Sequence, residues 1–357
     1  MDITKIDKNM LKTDDVVTES KRDEYVIPHP SFDLYGISYD KEDGRFVRMP
    51  QDIAKTVSPG VATLAKNTAG GRLRFSTDAI EMVIEAEYDT LTVTYDNASP
   101  IGNSAFVLLE ELDDGSFFTV NVTRMRISGT TNVSVSPLKG GMRNYILYFP
   151  NYNCVKNLKL SFNKGAKVVN GKKYKDIQPI LYYGSSITQG GCASRADASY
   201  QAIISKWNNI DFINLGFSGC GKAEKEIVDY ICGLECSLFV LDYDHNAPNA
   251  KYLRETHYPF YEAFRKSHPN TPIIFVSKPD MEQGVEIEAR QKVIKSTYLK
   301  ARRAGDKNVY FYNGKNFFNI KNREICTVDR CHPNTLGMYL MAQKLYKVMS
   351  KIDKDFI

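Results

Sequence analysis

A rhythm in the C-terminal half limits most tightly what this chain can become. Apolar runs at 180–183, 212–215, 238–241, 273–276 and 309–312 alternate with helix-like stretches near 200–207, 224–232, 251–265, 286–303 and 335–349. Repeated strand-then-helix units build a parallel sheet with helices on both faces, because each right-handed crossover lays its helix back onto the sheet. In such sheets ligands bind beyond the carboxyl ends of the strands, so the loop after each strand is where chemistry belongs.

The N-terminal half has another texture. Short apolar or alternating runs at 79–88, 91–95, 106–112, 117–122, 145–149 and 158–162 are separated by turn residues, and Asp113-Asp114-Gly115-Ser116 reads as a hairpin turn. Many short strands and no amphipathic helix predict a β-sandwich of jelly-roll type. The stretch 163–176, rich in Lys, Gly and Asn, reads as an exposed linker. The expected plan is therefore a sandwich over 1–165, a linker over 166–177 and a three-layer α/β/α domain over 178–357. A length of 357 residues also favours two domains over one.

Composition narrows the classes of function. Hydrophobic residues make up 43% and charged residues 25%, which is ordinary for a globular protein. Lys plus Arg number 47 against 42 Asp plus Glu, and the bases are interspersed with the acids, so the clustered footprint of a nucleic-acid binder is missing. No segment approaches the roughly 18 consecutive apolar residues of a membrane span. The opening Met1-Asp2-Ile3-Thr4-Lys5 carries no apolar signal core, and seven scattered cysteines read as reduced thiols, so the expectation is a cytoplasmic protein. Nothing in the sequence speaks to oligomeric state.

Four of the post-strand loops carry candidate chemistry. The first reads Gly184-Ser185-Ser186-Ile187-Thr188, where small residues let the backbone turn sharply and present Ser186 at the sheet edge. A serine hydroxyl is a poor nucleophile without an adjacent base. Asp329-Arg330-Cys331-His332-Pro333-Asn334 supplies one before the last helix: the three-residue offset lets Asp329 hold one nitrogen of His332 while the other faces outward. Gly219, in Gly216-Phe217-Ser218-Gly219, offers a backbone N–H without a side chain in the way, and Asn246, in Asp244-His245-Asn246, offers a side-chain amide for an oxyanion. Asn334 is a candidate N-cap.

Taken together, Gly184-Ser185-Ser186-Ile187-Thr188, Gly219, Asn246 and Asp329-x-x-His332 resemble the four blocks of the SGNH (GDSL-type) hydrolase superfamily over residues 178–350. The resemblance implies Ser186 as nucleophile, His332 as base, Asp329 as its acid, and the N–H groups of Ser186 and Gly219 with the Asn246 amide as oxyanion donors. Ser31-Phe32-Asp33-Leu34-Tyr35 is similar to the Gly-x-Asp-Leu-Tyr signature of the β-domain that precedes some of these hydrolases. That arrangement implies an esterase removing short acyl groups, often acetyl, from carbohydrate, with no metal or organic cofactor and a small-molecule or oligosaccharide ester as substrate. Ser185 stands where the family has aspartate, and Ala247 follows Asn246 where it has another aspartate.

Other readings compete. Transfer to an acceptor other than water, or lipase-type hydrolysis, uses the same triad, and the sandwich could be a glycan-binding module beside a vestigial hydrolase. Gly216-Phe217-Ser218-Gly219-Cys220-Gly221-Lys222 has P-loop spacing, yet Ala223 stands where Ser or Thr should hold magnesium. Cys232, Cys236, Cys326 and Cys331 lack the tight pairs of a structural zinc site. Arg195 and His245 are candidate substrate contacts, and His29, His257 and His268 are expected at the surface or as caps.

Overall fold

The computed structural model describes residues 21–89, 97–123, 131–279, 284–353 and 356. The run expected at 91–95 and the opening residues 1–5 lie outside them. The five C-terminal strands pair in parallel in the order Phe212–Gly216, Ile180–Gly184, Leu238–Asp242, Ile273–Val276, Val309–Tyr312. This is the doubly wound order 2-1-3-4-5, with its switch point beside the first strand. Helices Tyr200–Asn208 and Thr335–Met349 bury Ile203, Ile204, Met338 and Leu345 on one face of the sheet. Helices Lys225–Cys232, Ala250–Ser267 and Val285–Arg303 bury Ile227, Leu253, Phe264 and Ile294 on the other. His257 lies within that second core, bonded to Thr297 at 2.9 Å, rather than at the surface as expected; burial pushes it down to about 3 and keeps it neutral.

The N-terminal half is a sandwich of two antiparallel sheets. One runs Arg22–Ile27, Val155–Asn163, Glu81–Tyr88, Thr131–Pro137; the other runs Val168–Asn170, Arg72–Thr77, Arg143–Tyr148, Val107–Glu111, Phe117–Val122, with Asp33–Tyr35 also on Arg72–Thr77. The last two strands of the second sheet form the expected hairpin. Alternation along the strands decides what each face covers. Leu108, Tyr145 and Leu147 point into the sandwich, whereas Val107, Leu109, Ile146 and Tyr148 join Ile180, Tyr182 and Tyr200 of the parallel domain. The central strands of this sheet are therefore covered on both faces, and the two halves share a core.

Two elements depart from the sequence reading. Val168–Asn170, inside the stretch read as linker, adds a strand to the second sheet, and Lys172 and Lys173 pair with Glu111 and Asp33. Helices Gln51–Val57 and Pro59–Leu64 are too short to show a helical period, and proline and the Ser58 cap on Val61 N–H set their start. They pack Ala54, Val57 and Val61 beside Leu215 and Phe217.

Arginines from the N-terminal half lie along the open edge of the parallel sheet. Strand Phe212–Gly216 is an edge strand, so every second carbonyl on its free side needs a donor. Arg72 donates to Phe212 O at 3.0 Å, and Arg48 donates to Asn214 O at 3.2 Å and Gly216 O at 2.6 Å. Arg48 also donates to Leu64 O and Asn67 O, and burial lowers its guanidinium to about 9. Hydrogen bonds to a charged donor contribute about 1.5–3 kcal/mol each. Arg48→Ala leaves several buried carbonyls unpaired and is expected to cost on the order of 3 kcal/mol or more. Denaturant unfolding reads this directly, and a loss within experimental error would show that these contacts contribute nothing.

Candidate active site

The first strand can end only at glycine. A Cβ on Gly184 would stand 2.1 Å from the Asp242 carbonyl oxygen and 2.2 Å from Thr188 Oγ1. The chain then turns into the short helix Ser186–Gln189, capped by Ser185, whose hydroxyl accepts the Ile187 N–H at 3.2 Å. Ser185, standing where the family pattern has aspartate, is thus an N-cap. Ser186 is the first helical residue, so its N–H has no acceptor within the helix.

The facing loop is closed by an isolated bridge between Thr327 and Pro333 and turns at Arg330, whose φ is +68°. Asp329 organises it: Oδ1 accepts the N–H groups of His332 at 2.7 Å and Cys331 at 3.0 Å. Its Oδ2 meets His332 Nδ1 at 2.6 Å, and His332 Nε2 lies 2.9 Å from Ser186 Oγ. Asn334 then caps helix Thr335–Met349 by accepting the Gly337 N–H, as expected. Ser186 and the neighbouring pair Asp329 and His332, 146 positions from Ser186 to His332, thus meet at the carboxyl end of the sheet.

Electrostatics follow from these contacts. Burial works against the charge on Asp329, but hydrogen bonds from His332 N–H, Asn97 and Cys331 N–H outweigh it and hold the carboxyl far below its ordinary range. The Cys331 thiol is opposed by burial, yet His245 Nε2 at 3.1 Å and His332 draw it down to about 6. Cys331 is in turn the main influence raising His332 to about 9, with burial opposing and Asp329 adding. An imidazolium cannot take a proton from serine, so turnover is expected to rise with pH through a limb above that of an ordinary histidine. Cys331→Ser should move that limb toward the ordinary range; a pH–rate profile with the same limb in both proteins would contradict this.

The sequence missed Asn97. Its Nδ2 donates to Asp329 Oδ2 at 2.9 Å and lies 3.3 Å from His332 Nδ1, bringing the N-terminal half into contact with the acid. No motif marks an asparagine that acts across domains. Losing a hydrogen bond to a charged group costs about 1.5–3 kcal/mol, so Asn97→Ala is expected to lower kcat by roughly tenfold or more. Steady-state kinetics on an aryl acetate checks this, and an unchanged kcat would remove Asn97 from the site.

Between the halves lies a cleft of about 160 Å³. Asn97, Ala98, Asn103 and Tyr152 line it from one side, and Ser186, Gly191, Cys192, Ser218 and His332 from the other. Tyr152 donates to the Ser186 carbonyl at 3.1 Å, and a Cβ on Gly191 would stand 2.8 Å from the Tyr152 hydroxyl. Asn103 is 1% exposed, and its side-chain N–H₂ has no partner among the described residues.

The remaining candidates, Gly219, Asn246, His245 and Arg195, are not among the residues lining this cleft. Gly219 follows Ser218 in left-handed backbone at φ +70°. Asn246 Nδ2 donates to the Phe217 carbonyl at 2.8 Å, tying its loop to the Gly219 loop. Gln189 braces the same loop by accepting the Ser218 N–H at 3.0 Å. His245 meets Cys331, next in the chain to His332. Arg195 is held by Asp197 and donates to Thr119 Oγ1 at 3.1 Å, and it is not among the residues lining the cleft.

Residues 177–350 match the GDSL-like lipase/acylhydrolase family, and residues 25–168 match the GxDLY N-terminal domain of SGNH-type esterases. The chain thus carries a GDSL-like lipase/acylhydrolase domain preceded by a GxDLY N-terminal domain. It is accordingly an ester hydrolase of two-domain SGNH type. A Bacteroides ovatus protein described as a GDSL-like lipase is similar at 27% identity and TM-score 0.82, over 92% of this hydrolase and 98% of that chain. A salicylyl-acyltransferase from a tetracycline biosynthetic pathway shares the fold at 18% identity and TM-score 0.77, over 93% and 97%. So does an acetyl xylan esterase from the rumen bacterium Butyrivibrio proteoclasticus, at 16% and 0.60, over 95% and 100%. No curated protein matches the hydrolase in sequence. Among the described residues no helix is long and apolar enough to cross a membrane.

Proposed function

We propose that this hydrolase removes short acyl groups, acetyl foremost, from carbohydrate hydroxyls through an acyl-enzyme on Ser186. The observation that carries the reading is the continuous contact from Ser186 Oγ through His332 to Asp329, at 2.9 and 2.6 Å. In this reading His332 Nε2 takes the hydroxyl proton as Ser186 attacks the ester carbon. Asp329 fixes the tautomer with the Nδ1 proton toward itself and stabilises the imidazolium. The N–H groups of Ser186 and Gly219 and the Asn246 amide receive the oxyanion. His332 then protonates the leaving alcohol and later activates water against the acyl-enzyme.

The cleft supports a small, polar substrate. Its volume is below the roughly 300–1,000 Å³ of pockets that take drug-sized ligands, which favours a short acyl group. The unpaired amide donor of Asn103 suits an oxygen-bearing alcohol better than a lipid chain, since a buried donor left unsatisfied costs stability. The likeness to an acetyl xylan esterase points the same way. Release of acetate from a panel of acetylated oligosaccharides tests the reading. Turnover of at least one sugar acetate well above that of long-chain esters is expected, and preference for long-chain esters would overturn it.

A second reading, acyl transfer, is favoured by the likeness to a salicylyl-acyltransferase. Adding alcohol acceptors to the assay separates the two, because a transferase gives the new ester at the expense of free acid.

A further inference from the structure

We propose that Cys331 and His245, with a nitrogen of His332 or a carboxylate oxygen of Asp329, form a site for a zinc-class divalent cation, and that filling it stops ester hydrolysis. Cys331 Sγ and His245 Nε2 already lie 3.1 Å apart. One ligand atom from each of Asp329, Cys331 and His332 lies within 4.8 Å of the others. Thiolate, imidazole and carboxylate are the zinc ligand set, and the sulfur selects against magnesium and calcium.

For the Cys331–His245 pair the geometry needs little adjustment. Zinc–sulfur and zinc–nitrogen bonds of about 2.3 and 2.0 Å at a tetrahedral angle separate the two ligand atoms by about 3.5 Å. Opening the present contact by a few tenths of an ångström is a side-chain movement. The backbones on both sides are held. Residues 327–333 form the bridged loop described above, with Val328 N–H donating to His332 O at 3.0 Å. The His245 loop is clamped by Arg290, which donates to Asp244 O at 2.6 Å and Ala247 O at 2.5 Å. Cys331 and His245 are half-buried, so a cation from solvent can reach them.

Inhibition follows from position. A cation that takes a nitrogen of His332 or an oxygen of Asp329 removes that atom from the chain of contacts to Ser186. Even bound by Cys331 and His245 alone, a divalent charge this close opposes formation of the His332 imidazolium. The inhibition rests on the triad reading; the binding does not.

The test uses the full-length protein with cobalt(II) as the spectroscopic probe and zinc as the competitor, alongside zinc titration of aryl acetate hydrolysis. Expected is a thiolate-to-cobalt absorption that zinc displaces and that Cys331→Ser lacks. Wild type should be inhibited by zinc, and Cys331→Ser, measured against its own uninhibited rate, should need at least about tenfold more. Absence of the absorption in wild type, or its persistence in Cys331→Ser, overturns the site. Absorption with an unchanged hydrolysis rate overturns the inhibition. If no ester is hydrolysed at all, the failure belongs to the esterase reading, and the cobalt signal still decides the site.

Discussion

Ser186→Ala is expected to hydrolyse an aryl acetate about 10⁴–10⁶-fold more slowly than wild type, with an unchanged unfolding temperature. The rate effect is large because the hydroxyl has no substitute. Water held near His332 could be activated, but the covalent intermediate and its oriented attack would be gone, and what remains comes from binding and oxyanion donors alone. Stability should be spared because the hydroxyl's contact is the one with His332, while the helix cap belongs to Ser185. Equal rates in variant and wild type would discard the assignment; equal rates with a lower unfolding temperature would give Ser186 a structural role instead. His332→Ala should reproduce the rate loss, and the double variant should be little worse than either, since residues acting as a unit are not additive.

Asp329→Asn is expected to cost about 10⁴-fold in kcat, although only one atom changes. The amide oxygen can still accept the N–H groups of Cys331 and His332, which keeps the loop in place. Its N–H₂ then faces His332 Nδ1, where Oδ2 sits at 2.6 Å in the native protein. Two donors cannot share that contact, so the ring proton moves to Nε2 and points at Ser186. The imidazole then has no lone pair for the serine proton. A small effect on kcat would show that Asp329 serves the loop and not the base. The Asn97 bond makes the comparison sharper, because the same Oδ2 accepts that amide from the other half of the molecule at 2.9 Å.

The parallel domain was the most legible part of the chain. Its strands begin where expected and run no more than one residue further, because a strand buried on both faces is a bare apolar run. Ile180–Gly184 and Leu238–Asp242 are buried at every position. The sequence also pointed to serine, histidine and aspartate as meeting partners, since each sits in a loop at the same end of the sheet. What escaped the sequence depends on approach between segments. The helices Gln51–Val57 and Pro59–Leu64 are shorter than any useful period. Val168–Asn170 reads as polar because it is an edge strand with one face in water. Arg48 and Arg72 look like surface charges until the open strand edge they serve is known. Asn97 and Asn103 enter the cleft from a half of the chain expected to be an accessory. The contact between His245 and Cys331 joins residues 86 positions apart that no motif links.

The central claim is that Ser186 carries the acyl group while His332 serves as its base. Incubation with a fluorophosphonate or a slowly released aryl ester, followed by peptide mapping, tests it most directly. One label is expected per chain, on the peptide containing Ser186, absent in Ser186→Ala and strongly slowed in His332→Ala. A label on another residue, or equal labelling in all three proteins, would contradict the account.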